Sequence, residues 1–262
     1  VSEAAPRDVV ARAYPIGLDV GEMRAPVTSE AAQKACRSMK SGPAGNALLL
    51  GVDRIDYSKG LPQKFDAFRQ FLDDNPERRG RTSLLQIGQP SRTEVDAYRD
   101  LNEALQSQAG AINADFGTLD WSPLRYRSQS LGRDALAGAY RAADVMLVTP
   151  LRDGMNLVAK EFVAAQDPAD PGVLILSRFT GAAEQMREAL LVNPHSREDL
   201  AETIRHALDM SLSERIVRWK ALYNGICRDD LEHWKESFLH DLTGGNADDA
   251  GPIIAEPIYT WR

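Results

Sequence analysis

The sequence predicts an α/β fold, a Rossmann-like doubly wound parallel sheet with extra helices at its C-terminal end. Apolar runs of strand length recur along the chain, and helix-length segments separate them. This alternation is typical of parallel strands joined by crossover helices. Residues 48–52 and 145–148 are apolar almost without interruption, as expected for strands that are covered on both faces of the sheet.

Six runs are expected to form the strands, and helices are expected between them. The predicted strands are residues 47–52, 83–87, 124–126, 144–149, 172–176 and 190–192. One helix should begin near Pro62, and a charged helix should cover about residues 92–108. Beyond Arg197 the apolar residues recur at helical spacing, which predicts a run of amphipathic helices.

Composition excludes several classes of protein. A formal charge of -7 and a pI near 5.2 argue against a nucleic-acid-binding protein, because such proteins need a basic face to displace counterions. No apolar stretch is long enough to cross a membrane, and the first residues lack the layout of a signal peptide, so a cytoplasmic protein is expected. The two cysteines and four histidines lack metal-ligand spacing, which predicts no metal site.

The loop after the first strand carries two cations. Residues 53–60 include Arg54 and Lys59 and come just before the expected helix start at Pro62. A guanidinium, an ammonium and a helix N-terminus together suit a diphosphate. A solvated charged loop is the alternative, and the residues alone leave both open.

The segment after the fourth predicted strand, residues 150–161, has the richest chemistry. Gly154 allows close approach of the backbone to a ligand, and Asn156 is expected to cap the next helix. Asp153 and Glu161 can accept hydrogen bonds from sugar hydroxyls. For Glu161, an ion pair with Lys160 or another helix is an equally open alternative.

Two further loops follow predicted strands. Arg92 comes shortly after the second strand and is either a ligand-binding cation or a surface residue in the first turn of a helix. The small residues 181–183 form either a tight turn or space for a base or sugar.

Taken together, residues 52–60, 90–92, 149–161 and 164–167 resemble the trehalose-6-phosphate synthases in sequence and in order. The resemblance runs from about residue 15 to about residue 242. It implies a GT-B architecture of two Rossmann-like domains, with UDP-glucose as donor, glucose 6-phosphate as acceptor, retention of anomeric configuration and no cofactor or metal.

The resemblance also assigns roles to residues of this chain. Arg54 and Lys59 would clamp the donor diphosphate and neutralise the leaving UDP, and Asp153 would hold a glucose hydroxyl. Glu161 would hold the ribose, and Arg92 would reach the phosphate of the acceptor. Further donor-site residues would be Leu131 at the uracil, Gly154, Met155 and Asn156 around the sugar, and Leu157, Val158, Ala159 and Lys160 in the same run.

The chain departs from the family pattern in two respects. Leu131 stands where the family usually has an aromatic residue, and the family's N-terminal half is missing. Residues 1–45 would therefore be a lead-in from an absent acceptor domain, residues 46–243 the donor-binding domain with its helices, and residues 244–262 a flexible tail.

Three hypotheses remain open at this level. The chain is half of a trehalose-6-phosphate synthase, half of a related synthase with another acceptor such as a glucosylglycerol-phosphate or validoxylamine-phosphate synthase, or a non-catalytic nucleotide-sugar-binding regulator. A separate N-terminal domain or a second copy of the chain is the expected protein partner.

Overall fold

The structure, a computed structural model, describes residues 11–40, 46–90 and 96–243. The predicted flexible tail lies outside these ranges, as do Arg92 and parts of the predicted lead-in segment. None of the described helices is long and apolar enough to cross a membrane.

Six parallel strands form one sheet in the order β3-β2-β1-β4-β5-β6. They are β1 (Ala47–Arg54), β2 (Thr82–Gln89), β3 (Leu124–Ser128), β4 (Val145–Val148), β5 (Val173–Ser177) and β6 (Leu190–Val192). The prediction of a doubly wound parallel sheet is confirmed. The strand order reverses direction between β1 and β4, and ligands of such folds bind outside the carboxyl ends of the strands at this point.

Ten α-helices lie in the described residues, together with short 3-10 turns. They are α1 (Val20–Arg24), α2 (Glu30–Met39), α3 (Leu61–Asp74), α4 (Asp96–Phe116), α5 (Arg133–Ala142), α6 (Leu157–Ala165), α7 (Ala182–Gln185), α8 (Arg197–Asp209), α9 (Leu212–Arg228) and α10 (Leu231–Leu242). The last three confirm the predicted C-terminal helices.

Alternate residues of the central strands feed two apolar layers, one on each face of the sheet. Leu48, Leu50 and Val52 of β1 pack in the layer that contains Tyr140 and Phe162, from α5 and α6. Leu49 faces the opposite layer, which α3, α4 and α8 complete. Burial on both faces explains why the strand sequences are apolar without alternation.

Two elements are longer than the sequence pattern predicts. β1 continues past the apolar run because Asp53 and Arg54 pair with residues 88 and 89 of β2. The helix predicted to end near residue 108 continues to Phe116, since Ala109 and Ile112 extend its buried stripe.

Residues 20–39, which belong to the predicted lead-in segment, pack against α5 and α6. Met23 and Ala32 are buried, and α2 approaches α5 so closely that a Cβ atom at Gly138 would lie 2.4 Å from the carbonyl oxygen of Ala32. The described part of the lead-in is therefore integral to the packing around α5, while the proposed boundary at residue 45 stays a prediction.

Candidate functional site

A cavity of about 380 Å³ opens where the carboxyl ends of β1 and β2 meet the N-terminus of α6. Seven of the residues predicted for the site line it: Arg54, Lys59, Asp153, Asn156, Leu157, Val158 and Glu161. Five others line it without having been predicted: Val52, Asp53, Gln89, Leu136 and Tyr140. The fold thus brings together segments that are about a hundred residues apart in the sequence.

The two predicted cations occupy the β1 side of the cavity. Arg54 is the exposed last residue of β1, and it has no ion pair within the described parts of the chain. Lys59 ends a 3-10 turn whose start is capped by Asp56, which accepts a hydrogen bond from the Ser58 backbone at 2.9 Å. Gly60 then adopts a left-handed conformation (φ 64°) at the start of α3, where a Cβ atom would lie 2.7 Å from the Thr149 carbonyl oxygen.

Lys59 and Asp153 form an ion pair across the cavity edge. The Lys59 Nζ lies 2.5 Å from Asp153 Oδ2, and both side chains remain partly exposed, at 12% and 20%. An ammonium group has three N–H donors, so this pair leaves Lys59 able to donate to a further anion. The pair also fixes the position of one predicted phosphate contact relative to one predicted sugar contact.

The loop that carries Asp153 is held from behind by the turn between β5 and α7. The Asp153 backbone N–H donates to the Phe179 carbonyl oxygen at 3.1 Å, and the Asp153 carbonyl oxygen accepts from the Gly181 N–H at 3.2 Å. A Cβ atom at residue 181 would lie 2.0 Å from the Gly154 carbonyl oxygen. The small-residue segment 181–183 is therefore a close support for the Asp153 loop.

Asn156 occupies the N-cap position of α6, as predicted, but its side chain makes no capping hydrogen bond to the helix, which corrects the expected role of that side chain. Its backbone is left-handed (φ 77°, ψ 84°), and its Nδ2 donates to Asp153 Oδ2 at 3.0 Å. In this conformation the side chain is directed at the aspartate instead of the helix N–H groups. The first turn of α6, with Leu157 and Val158 at the cavity wall, keeps its backbone donors free of a side-chain cap, a geometry that favours an anion.

Glu161 projects from α6 into the same cavity and accepts a hydrogen bond from Tyr140. The Tyr140 hydroxyl donates to Glu161 Oε2 at 2.7 Å. Burial raises the pKa of Tyr140 well above its ordinary value, and the negative charge of Glu161 raises it further. The alternative of an ion pair between Glu161 and Lys160 is not what the structure contains.

Lys160 lies on the other side of α6, which corrects its placement in the donor site. Its side chain is buried, and its Nζ donates to the Ile16 carbonyl oxygen at 2.9 Å and to Gln185 Oε1 at 2.8 Å. Burial lowers the pKa of Lys160, against the opposing charge of Asp229. A helix turns by about 100° per residue, and the contacts with Ile16 and Gln185 hold Lys160 away from the cavity that Glu161 lines.

The remaining predicted site residues lie at or beyond the edges of the cavity. Ala159 is buried in the core, Met155 and Leu131 are partly buried against it, and Gly154 is exposed. None of these four lines the cavity, whereas Leu136 of α5 does. Arg92 falls outside the described residues.

A buried polar network below the cavity was missed by the sequence analysis. Lys64 Nζ lies 2.7 Å from Asp53 Oδ2 and 3.0 Å from Gln86 Oε1, and Gln86 Nε2 donates to Asp53 at 3.1 Å. A lysine within the apolar stripe formed by Leu61, Phe65 and Phe68 was the available signal. Tyr140 was missed because an aromatic residue on the buried face of a helix is normally a packing residue.

Within the described residues, no group of three or more His, Cys, Asp or Glu side chains is arranged to hold a metal ion. The prediction that the site uses no metal stays a prediction.

Comparison with known proteins places this chain in a defined family. The family model described as glycosyltransferase family 20 matches residues 2–244. The chain is 45% identical over 236 residues to a trehalose-6-phosphate synthase of Salmonella paratyphi B, covering 90% of this chain and 50% of that protein. It is also 45% identical over 233 residues to a trehalose-6-phosphate synthase of Sinorhizobium fredii, covering 89% of this chain and 50% of that protein.

Solved structures with the same fold also match the chain. An α,α-trehalose-phosphate synthase (UDP-forming) from Burkholderia xenovorans in complex with glucose-6-phosphate matches with a TM-score of 0.86 and 43% identity, covering 89% of this chain and 52% of that chain. An E. coli structure described as trehalose-6-phosphate bound with UDP-2-fluoro glucose matches with a TM-score of 0.83 and 44% identity, covering 87% of this chain and 51% of that chain. The chain spans about half the length of the curated relatives it matches. By the extent of these matches, the chain belongs to glycosyltransferase family 20.

Proposed function

We propose that this chain supplies the donor-binding half of a trehalose-6-phosphate synthase. The reaction would transfer glucose from UDP-glucose to glucose 6-phosphate, giving trehalose 6-phosphate and UDP with the anomeric configuration retained. One observation carries this proposal, namely the convergence of Arg54, Lys59, Asp153, Glu161 and the start of α6 on a single cavity. Such a combination of cations, helix N–H groups and carboxylates suits a molecule with a diphosphate flanked by two sugars.

The cationic side of the cavity would bind the diphosphate. Arg54 is exposed and has a guanidinium that can hold two phosphate oxygens, and Lys59 retains donors beyond its bond to Asp153. The uncapped first turn of α6 adds oriented N–H groups. These fixed positive groups would stabilise the negative charge that develops on UDP as the glycosidic bond breaks.

The two carboxylates would orient the sugars on either side of the diphosphate. Asp153 has one oxygen engaged by Lys59 and Asn156, and its second oxygen would accept a hydrogen bond from a glucose hydroxyl. Glu161 would accept hydrogen bonds from the ribose. Correct placement of the reacting groups is itself a large part of catalysis of such transfers.

The identity of the acceptor is proposed mainly from the similarity of this chain to trehalose-6-phosphate synthases. Arg92 is the residue of this chain assigned to the acceptor phosphate, and the rest of the acceptor site would belong to an N-terminal domain outside residues 1–262. We also propose a cytoplasmic location, on the composition of the sequence and the substrates assigned to the site.

Calorimetric titration with UDP and UDP-glucose tests the donor assignment. We expect both to bind, and we expect Arg54→Ala to weaken binding by about tenfold or more, the usual effect of losing a hydrogen bond between charged groups. Arg197→Ala is the matched control, because it also removes one exposed guanidinium but does not line the cavity. Absence of binding at millimolar UDP would refute the donor site.

An assay of UDP release from UDP-glucose, with and without glucose 6-phosphate, tests the transfer. Binding with little turnover is expected for the chain alone if the catalytic cleft needs a second domain. Release of UDP that depends on another sugar phosphate but not on glucose 6-phosphate would refute the proposed acceptor.

A further inference from the structure

Behind Glu161 lies a tyrosine whose hydroxyl has a single polar partner in the described structure. Tyr140 of α5 is fully buried, at 0% exposure, yet it borders the cavity through its contact with Glu161. Its hydroxyl donates to Glu161 Oε2 at 2.7 Å. A phenylalanine would fill the same apolar layer, so core packing alone does not account for a buried hydroxyl, which needs a partner to offset its desolvation.

This hydrogen bond constrains a side chain that would otherwise rotate freely. Glu161 is only partly buried, and in the described residues no other hydrogen bond or ion pair to its carboxylate is present. Tyr140 holds one oxygen from the side of the core, so the second oxygen is left for the cavity. A glutamate fixed in this way does not lose its side-chain entropy when a ligand binds.

The direction of the hydrogen bond is constant across the neutral pH range. Because burial and the nearby carboxylate raise the pKa of Tyr140 well above its ordinary value, the hydroxyl stays protonated and acts as a donor. Glu161 is thereby held as an acceptor, and the partners it selects are hydroxyl groups of a ligand and not other acceptors.

We propose that Tyr140 is a positioning residue, which through its hydroxyl orients Glu161 to recognise the ribose hydroxyls of the bound nucleotide. The cavity would then prefer a ribonucleotide over the same nucleotide without these hydroxyls. This inference rests on the proposed donor-binding function and adds a determinant of nucleotide specificity that acts through Glu161.

The test compares two ligands on each variant: UDP and a uridine diphosphate that lacks both ribose hydroxyls. Calorimetric titration is carried out with the full chain and with Tyr140→Phe, Glu161→Ala and the double variant. We expect Tyr140→Phe to weaken UDP binding by roughly tenfold, in line with one hydrogen bond to a charged group. Binding of the hydroxyl-free nucleotide should not change, and in the Glu161→Ala background the tyrosine substitution should have no further effect on either ligand.

The ratio of the two affinities makes the test specific. Partial unfolding of a variant lowers the apparent affinity for both ligands by the same factor, so the ratio reports only on ribose recognition. Tyr126→Phe is the matched control: its hydroxyl also bonds a neighbouring side chain, Asn102, but the residue does not line the cavity. Its affinity ratio should equal that of the unsubstituted chain.

Three outcomes would overturn the inference, and they separate it from the proposed function. An equal loss for both ligands in Tyr140→Phe would mean that the hydroxyl only supports the packing. If the unsubstituted chain binds UDP but does not distinguish it from the hydroxyl-free nucleotide, the inference fails and the donor site stands. If neither nucleotide binds, the donor site fails as well.

Discussion

Lys59 and Lys64 stand five residues apart, and each pairs with an aspartate, but the two ion pairs differ in what surrounds them. Lys64 and Asp53 have side-chain exposures of 0% and 2%, and Gln86 bonds to both. Lys59 and Asp153 lie at the cavity edge with exposures of 12% and 20%. The side chains of the first pair are almost fully buried and bonded within their own network, although Asp53 borders the cavity. The second pair retains unused donors and acceptors on the cavity side.

The difference follows from position on β1 and α3. The Asp53 carboxylate is bonded to Lys64 of α3, whereas the Arg54 side chain is exposed at the cavity, because successive residues of a strand point to opposite faces. Lys64 lies one turn into α3, where its side chain meets Asp53 of β1 and Gln86 of β2, while Lys59 precedes the helix. One short segment therefore supplies both a buried ion pair and an ion pair that is open to the cavity.

The largest expected effect is on the buried pair. Lys64→Met preserves most of the side-chain volume but leaves Asp53 charged, buried and without its cation. Breaking a buried pair in this way costs about 3–5 kcal/mol of unfolding free energy, which urea denaturation would measure. If the unpaired charge of Asp53 causes the loss of stability, adding Asp53→Asn to Lys64→Met should recover much of the lost unfolding free energy, because the second substitution removes that charge.

The matching change in the open pair should act on binding instead of stability. Lys59→Met is expected to cost about 1 kcal/mol of unfolding free energy or less, as for other partly exposed pairs. UDP affinity should fall by about tenfold or more, since a charge-assisted contact to phosphate is lost. Measuring both quantities on both lysine variants tests the comparison directly; similar losses of stability in the two variants would contradict it.

Much of this architecture could be predicted from the sequence because it depends on local apolar patterns. The parallel sheet, its crossover helices and the C-terminal helices follow from the spacing of apolar residues. The ends of elements are less predictable, since they depend on partners elsewhere. Arg54 is part of β1 only because β2 offers it a partner at residue 89.

The sequence was sufficient to predict which charged loops form the candidate site. It was not sufficient to predict the direction in which each side chain of those loops points. Arg54, Lys59, Asp153 and Glu161 share one cavity, as expected for residues that follow neighbouring parallel strands. Lys160 belongs to the same sequence run but is buried on the opposite side of α6. A long run of residues on a helix cannot all face one ligand. The sequence alone does not show which of these residues face the cavity and which face the core.

The smallest expected effect concerns the backbone that connects the open pair to α6. Asn156 is the one residue other than glycine with a positive φ among those the structure describes. Asn156→Gly and Asn156→Ala both remove the hydrogen bond to Asp153, but only alanine must adopt a left-handed conformation with a Cβ atom. Alanine should therefore be less stable than glycine by about 1 kcal/mol, measured by urea denaturation of the two variants. Equal stability would show that the loop relaxes away from the left-handed conformation when the asparagine is lost, and in that case the Lys59 and Asp153 pair, not the backbone, would determine the shape of this side of the cavity.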